Sequence, residues 1–576
     1  MAGGERYEFG DFTLDVSERR LCRRGQPVAL EPKAHDVLAA LLRRAGRLVS
    51  KRDLLNLVWP DSFVEEGILA VHVSSLRKAL GYGGGDKCYI ETVPRSGYRF
   101  IEPVKQESVD SLAAKGWSVA VLPAQPFTSE ILSERDQPTG LTLADALIER
   151  LGRFKQIVVR PASAVRAYSR AGANLAAAGQ TLHTDAVLAS DFVRIADRVR
   201  VSARLIRSED GAELWKSEFD EPASDLLAVA DAIAASVAAY LGLTRGSPGR
   251  RPRPRLSLNP EVYEHFGRGR FALLRASMLE VPKAIEAFRA AIELAPDYAA
   301  AHAGLALAQC AQAELRLRPP AEAYSEAKSS ALQALAMDPE CADAQVALAA
   351  VLFWSEWNWP AAEKSLERAL EINPNHSEAY LLFGRLLEAR GRFDEALAMK
   401  RRALERDPFS PLVHLQVSLS FFLAHRYDES IEWASKTLEL DPRHPHAREF
   451  LAGCYWKKGD FDRYMAENLK HAELHGVPPE ALEPLKQAYA AEGCAGVRRL
   501  QFERAALQPQ AFPAMQLAVL YGEAGDLDSA FHHLSRALEQ RDPGLVHLAV
   551  GPQWDAMRED ARFDECLGKM GLWAPR

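Results

Sequence analysis

The stretch VEEGILAVHVSSLRKALG (64–81), followed by CYIETVPRSGYRFI (88–101), decides how the head of this chain folds. In the first stretch Leu69, Val73, Leu76 and Leu80 recur at steps of four, three and four, which is one buried stripe of an α-helix. The other face of that helix carries Gly67, Ala70, Ser74, Arg77 and Lys78. The second stretch alternates as two short strands around a Pro-Arg-Ser-Gly turn. Upstream, EPKAHDVLAALLRRAG (31–46) places Val37, Leu38, Leu41 and Leu42 on one helical stripe. Ser50 then stands where an N-cap belongs, ahead of KRDLLNLVW (51–59), with a hydroxyl able to accept from an otherwise unbonded backbone N–H. Residues 5–104 thus alternate short strand-like runs with three helices.

Together with FGDFTLD (9–15), LVWPDSFV (57–64) and TVPRSGYRF (92–100), these residues resemble the OmpR/PhoB-type winged helix over about a hundred residues. The resemblance implies that helix 65–80 lies in the DNA major groove and that hairpin 88–101 touches the adjacent minor groove. A major groove about 12 Å wide admits one helix, and Arg or Lys at its edge neutralises phosphates. The candidate DNA contacts are His72, Ser74, Ser75, Arg77 and Lys78 on the helix, with Thr92, Arg95 and Arg99 in the hairpin. Ser74 and Ser75 sit where relatives often carry base-reading arginines, and serine reads bases less specifically. Arg99 and Tyr98 serve equally well to hold the hairpin against the body, and Trp59 is expected to pack in the loop between two helices. Most relatives carry a phosphate-accepting receiver domain ahead of the winged helix. Here the chain opens on the winged helix, so phosphorylation of an acidic pocket is not the expected switch.

The far half of the chain repeats itself. Ala284/Ala291/Pro296, Ala327/Ala334/Pro339, Ala362/Ala369/Pro374 and Ala396/Ala403/Pro408 share one spacing, and Ala530/Ala537 form a late copy. Pro339, Pro374, Pro408 and Pro442 are 35, 34 and 34 residues apart. Alanines seven apart share a helix face, where their small side chains admit a neighbouring helix, and the proline ends the helix. This period resembles the tetratricopeptide repeat, with about eight helix pairs expected. Ser430 and Thr437 replace both alanines in one copy, residues 299–339 carry an insertion, and the region 479–511 fits least well.

Between head and repeats, WSVAVLPAQPF (117–127) has a buried-strand pattern, LTLADALIERLGRF an amphipathic helix and QIVVRPASAV a second strand. Three alternating strands follow over 185–220, then a helix at about 224–241, an order βαβ(α)βββα that suggests a small α/β sandwich. The runs VAVLP, LADALIERL, VVRPAS, VRVSARLI and GAELWKSEFD resemble the TolB N-terminal-like domain, although the loop at 124–139 departs from that family's pattern. TRGSPGRRPRPRLSLNP (244–260) is a Pro/Arg-rich linker.

Composition bounds the rest. With 576 residues, 48% hydrophobic and 26% charged, the chain is an ordinary globular protein of several domains. The net charge of -7 is uneven: residues 1–104 hold 16 Lys and Arg against 14 Asp and Glu, or +2, leaving -9 for the remainder. Seven cysteines are scattered without a CxxC pair, which suits free thiols rather than disulfides or zinc. P-loop and GxSxG motifs are absent, and Gly81, Gly83, Gly84 and Gly85 follow a helix instead of a strand. His471 and His475 lack a clear third metal ligand.

The expected architecture is therefore a multidomain α and α/β protein: winged helix 5–104, small α/β domain 115–243, linker 244–260, and an α-solenoid of tetratricopeptide helix pairs over 261–576. The expected function is that of a cytoplasmic, non-enzymatic DNA-binding transcription regulator without cofactor or metal. Its partners would be double-stranded DNA, a protein or peptide in the repeat groove, and a second copy on tandem half-sites. The competing expectation is a repeat scaffold whose winged helix contacts protein instead of DNA.

Overall fold

The computed structural model describes residues 5–573 except 16–19, 24, 25, 29, 47, 60–63, 65, 66, 81–88, 95, 103, 104, 109–115, 128–135, 169–173, 196, 197, 244–258, 276 and 509–511. The chain divides into two units, Met1–Trp117 and Ser118–Arg576.

The first unit runs β1 (Glu5–Phe9), β2 (Phe12–Asp15), β3 (Arg20–Arg23), β4 (Gln26–Val28), α1 (Pro32–Leu42), β5 (Leu48–Ser50), α2 (Lys51–Val58), α3 (Gly67–Ala79), β6 (Ile90–Val93), β7 (Gly97–Phe100) and β8 (Lys105–Ser108). Five strands form an antiparallel sheet in the order β4-β3-β2-β1-β8, and three form a second sheet, β5-β7-β6. Strand β8 pairs Glu5 with Ser108, so the unit extends past residue 104. The expected stripes are buried: Val37, Leu38, Leu41 and Leu42 of α1 meet Leu69, Val73, Leu76 and Leu80 in one core. Phe9 anchors that core to both sheets, with ring centroids 5.0 Å from Phe100 and 5.7 Å from Phe12. Ser50 caps α2, accepting from the Asp53 amide at 3.0 Å. Gly97 pairs with Ser50, and a Cβ there would lie 2.0 Å from the Val49 carbonyl oxygen, so any side chain would push β7 off β5.

The second unit begins with the expected βαβ(α)βββα order. Its elements are β9 (Trp117–Val121), β10 (Gln125–Pro126), α4 (Asp136–Gly152), β11 (Ile157–Val159), α5 (Ala162–Val165), α6 (Leu175–Thr181), β12 (Ala186–Ile195), β13 (Arg198–Arg207), β14 (Glu213–Pro222) and α7 (Leu226–Tyr240). The sheet order is β11-β9-β12-β13-β14, with β9 parallel to β12 and the last three strands antiparallel. Most of the expected linker, 244–258, lies outside the described residues, as do residues 196 and 197 and residues 128–135 of the loop at 124–139.

Helix pairs follow. Pro260–Arg275 packs with Glu280–Leu294, Ala299–Glu314 with Pro320–Met337, and Ser377–Ala389 with Phe393–Arg406, and the pattern continues to Leu527–Glu539. The paired alanines are fully buried at 284, 291, 327, 334, 362, 369, 396, 403, 530 and 537. Ser430 and Thr437 are buried in the same places. Their hydroxyls are satisfied by the Ser418 carbonyl at 3.0 Å and the Trp433 carbonyl at 3.0 Å, which is why this copy tolerates them. The poorly fitting region, Pro479–Leu507, is two helices separated by a kink at Gly493 (φ 59°, ψ -144°).

The α/β layer is seated on the turns between successive helix pairs. Asn375 donates to the carbonyls of Gly152 and Ile157, each at 2.9 Å, and accepts from the Val159 amide at 3.1 Å. Arg160 donates to the carbonyls of Glu405 (2.6 Å) and Arg406 (3.0 Å), and the His183 ring meets Phe409 edge-on at 4.8 Å. Asn375 and Phe409 are 34 residues apart, so the layer uses one position of the repeat twice.

Candidate nucleic-acid interface

Helix α3 is held by its buried stripe of Leu69, Val73 and Leu76, which leaves a continuous outward face. That face presents Gly67, Ile68, Ala70, Val71, Ser74 and Lys78, all exposed; Val71 is 64% exposed. Positions 67, 70, 71, 74 and 78 follow the three-and-four step that lines up one side of a helix.

The candidate contacts separate into groups. Ser74 and Lys78 lie on the outward face, and Ser75 is half-buried at its edge. Arg77, expected at phosphates, is instead turned to the hairpin. Its Nε and Nη2 donate to the Ile90 carbonyl at 3.2 and 2.6 Å, and Nη2 also donates to the Thr92 hydroxyl at 2.7 Å. One guanidinium therefore locks β6 onto α3, and Thr92 is its acceptor. His72 is turned away from the outward face. It lies against Trp59 with ring centroids 5.6 Å apart, and its Nδ1 is 3.7 Å from Glu31. Arg99 pairs across the hairpin with Glu91 at 3.3 Å. Arg95 lies outside the described residues, as do Gly81, Gly83, Gly84 and Gly85. Trp59 packs against the core as expected, and Lys33 closes the loop beside it by donating to the Val58 carbonyl at 2.6 Å. Reading from sequence missed the exposure of Ile68 and Val71. The signal was available, since neither falls on the stripe set by Leu69, Val73 and Leu76.

The repeats offer a second surface. Stacked helix pairs ordinarily leave a concave face open. Here the chain's own C-terminal segment folds back onto the repeats. Leu545, Val546, Trp554 and Phe563 share one core with Trp354, Leu382, Phe383 and Leu386. Trp359 Nε1 donates to the Met570 carbonyl at 2.7 Å, Arg316 pairs with Asp542 at 2.8 Å, and Lys457 donates to the Pro552 carbonyl at 2.5 Å. Over this stretch the apolar side chains Trp354, Leu382, Phe383 and Leu386 are covered by the chain's own later segment. Elsewhere a cavity of about 440 Å³ lies between the α/β layer and the repeat turns. Arg270 bridges Asp145 and Asp343 beside it, at 2.9 and 3.0 Å, and His376 bonds Asp343 at 2.9 Å. Burial opposes charge on His376, but its bonds to Asp343 and Glu378 outweigh burial and raise its pKa to about 10. Among the described residues no group of three or more His, Cys, Asp or Glu is placed to hold a metal ion, and no helix is long and apolar enough to cross a membrane.

Residues 25–100, which contain α1 to α3 and the hairpin, match the family described as "Transcriptional regulatory protein, C terminal". The head is an OmpR/PhoB-type winged helix. Residues 354–417 match "Tetratricopeptide repeat". The transcriptional regulator HilA of Salmonella typhi is 36% identical over 121 residues, 21% of this chain and 22% of HilA. The phosphate regulon transcriptional regulatory protein PhoB of Escherichia coli is 35% identical over 101 residues, 17% of this chain and 44% of PhoB. A protein named putative adenylate cyclase 3, from Rhizobium meliloti, is 28% identical over 216 residues, 37% of this chain and 36% of that protein. The chain thus spans about a fifth of HilA and less than half of PhoB. The matched families are a transcription-regulator domain and a repeat, and neither is catalytic.

Proposed function

We propose that this chain is a transcription regulator. Its winged helix binds promoter DNA, with α3 in the major groove and the β6–β7 hairpin at the neighbouring minor groove. The observation that carries this reading is the match of residues 25–100 to a transcriptional regulatory domain, on a helix whose outward face is exposed and free of acidic side chains from Gly67 to Ala79. Lys78 and Arg95 are assigned to phosphates and Ser74 to the groove, with Ser75 at its margin. Arg77 and Thr92 are assigned to holding the wing in place for that contact, His72 and Arg99 to supporting the head. Residues 115–243, a TolB N-terminal-like domain, and the repeats from 261 onward form one input arm for a protein signal. Two copies on tandem half-sites would supply the affinity that one short interface lacks. Such a regulator works in the cytoplasm, where bacterial promoters are.

The test is binding of the full chain to a duplex taken from upstream of its own coding sequence, at two salt concentrations. The expected result is a complex that weakens steeply with salt, because phosphate contacts release counterions. Lys78→Ala and Arg95→Ala should each weaken it further. A folded chain that gives no shift at low salt overturns the proposal and moves attention to partners of the repeats.

A further inference from the structure

Sequence-specific binding needs side chains that match base edges. In the major groove each base pair offers hydrogen-bonding groups, and thymine adds a C5 methyl group. Arg, Lys, Asn and Gln read guanine or adenine by paired hydrogen bonds, while aliphatic side chains complement only the thymine methyl.

Helix α3 has few of the first kind on its outward face. From Gly67 to Ser75 that face holds no Arg, Lys, Asn or Gln. Arg77, the one guanidinium on the helix, is bonded to Ile90 and Thr92 of the hairpin. Lys78 stands in the last turn, toward the helix's C-terminal end. What the face does hold is aliphatic carbon: Val71 at 64% exposure, Ile68 at 36%, and Ala70 between them. A β-branched side chain so exposed gains nothing from the protein's own core. Its neighbours Leu69 and Val73 are buried, so the helix cannot rotate to cover it without exposing them.

We propose that Val71, supported by Ala70 and Ile68, is the specificity-determining residue of this head and reads thymine methyl groups in the major groove. The preferred site is then rich in A·T pairs with thymines facing α3, and Ser74 adds a weaker polar contact. This rests on the head binding DNA as proposed above, and the experiment separates the two failures.

The full chain is used to select from random duplex pools of two kinds, one containing thymine and one containing deoxyuridine in its place. Uracil keeps every hydrogen-bonding group of thymine and lacks only the methyl. The expected result is enrichment of a thymine-rich site from the first pool. The same site made with uracil should bind about fourfold more weakly for each methyl contacted, the factor that follows from burying one such group. Val71→Ala should shrink the thymine-to-uracil ratio, and Val71→Asn should abolish it, while both leave the salt dependence unchanged. Equal binding of thymine and uracil sites, or an unchanged ratio in Val71→Ala, overturns the inference. Absence of binding to either pool by folded chain overturns the DNA-binding proposal instead.

Discussion

The outward face of α3 and the seam between the α/β layer and the repeat turns are built from opposite materials. The seam is polar: Arg160, Arg270 and Asn375 find backbone carbonyls or a carboxylate across it, and His376 bonds Asp343 on the repeat side. The face of α3 has aliphatic carbon, one serine and one lysine. The acidic body therefore uses many of its cations internally, while the head leaves a few groups facing outward. Net charge by region hides this, because Arg77 counts toward a basic head yet serves as an internal clamp. Where a cation is bonded tells more about DNA contact than how many there are.

The sharpest way to break this contrast is to remove a cation from the body. Lys400 is fully buried, bonded to Glu388 and to the Gln416 carbonyl, each at 2.5 Å. Lys400→Met leaves Glu388 buried without its counter-charge and should cost about 3–5 kcal/mol. Denaturant unfolding of the full chain reads this, with DNA affinity unchanged below the transition. A loss under about 1 kcal/mol would mean that the interior does not depend on its ion pairs.

A pH titration sharpens the same side. The pKa of His376 is raised from 6.5 to about 10, so its stabilisation is complete below pH 6.5 and is lost as pH rises through about 10. Body stability should fall over that window by up to about 5 kcal/mol. His376→Gln should flatten the fall; an equally steep profile in the variant would assign it to other groups.

On the head, Arg77→Ala and Lys78→Ala should behave differently although the residues are adjacent. Arg77→Ala removes the bonds to Ile90 and Thr92 and should cost the head about 1–3 kcal/mol, read by thermal unfolding, with weaker DNA binding and an unchanged salt slope. Lys78→Ala should leave stability within about 0.5 kcal/mol. It should lower the slope of log affinity against log salt by about one. Equal salt slopes in the two variants would erase the distinction between clamp and contact.

Much of this was legible in the residues. The stripe Leu69, Val73, Leu76 and the paired alanines at 34-residue spacing announce themselves because each reports contacts with near neighbours in sequence. The order of the α/β layer was legible for the same reason. Arg77's partner was not, because the Ile90 carbonyl arrives from a hairpin 13 residues on, and nothing in the helix indicates where it ends up. The same holds for His72 against Trp59. The seating of the α/β layer on Asn375 was hidden too. An asparagine after a proline in a repeat turn has the appearance of an ordinary turn residue, and its partners lie more than 200 positions upstream.

The return of the C-terminal segment onto the earlier repeats changes what kind of object the body is. An open stack of repeats gains each neighbour as it is made and can fray from either end, since every unit touches only the next. Here Trp359 waits for Met570, 211 residues later, before its indole N–H is bonded. On the ribosome, Leu382, Phe383 and Leu386 would emerge long before the side chains that cover them. The body should thus finish folding only once the chain through Met570 has emerged, and should unfold as one cooperative block instead of fraying repeat by repeat.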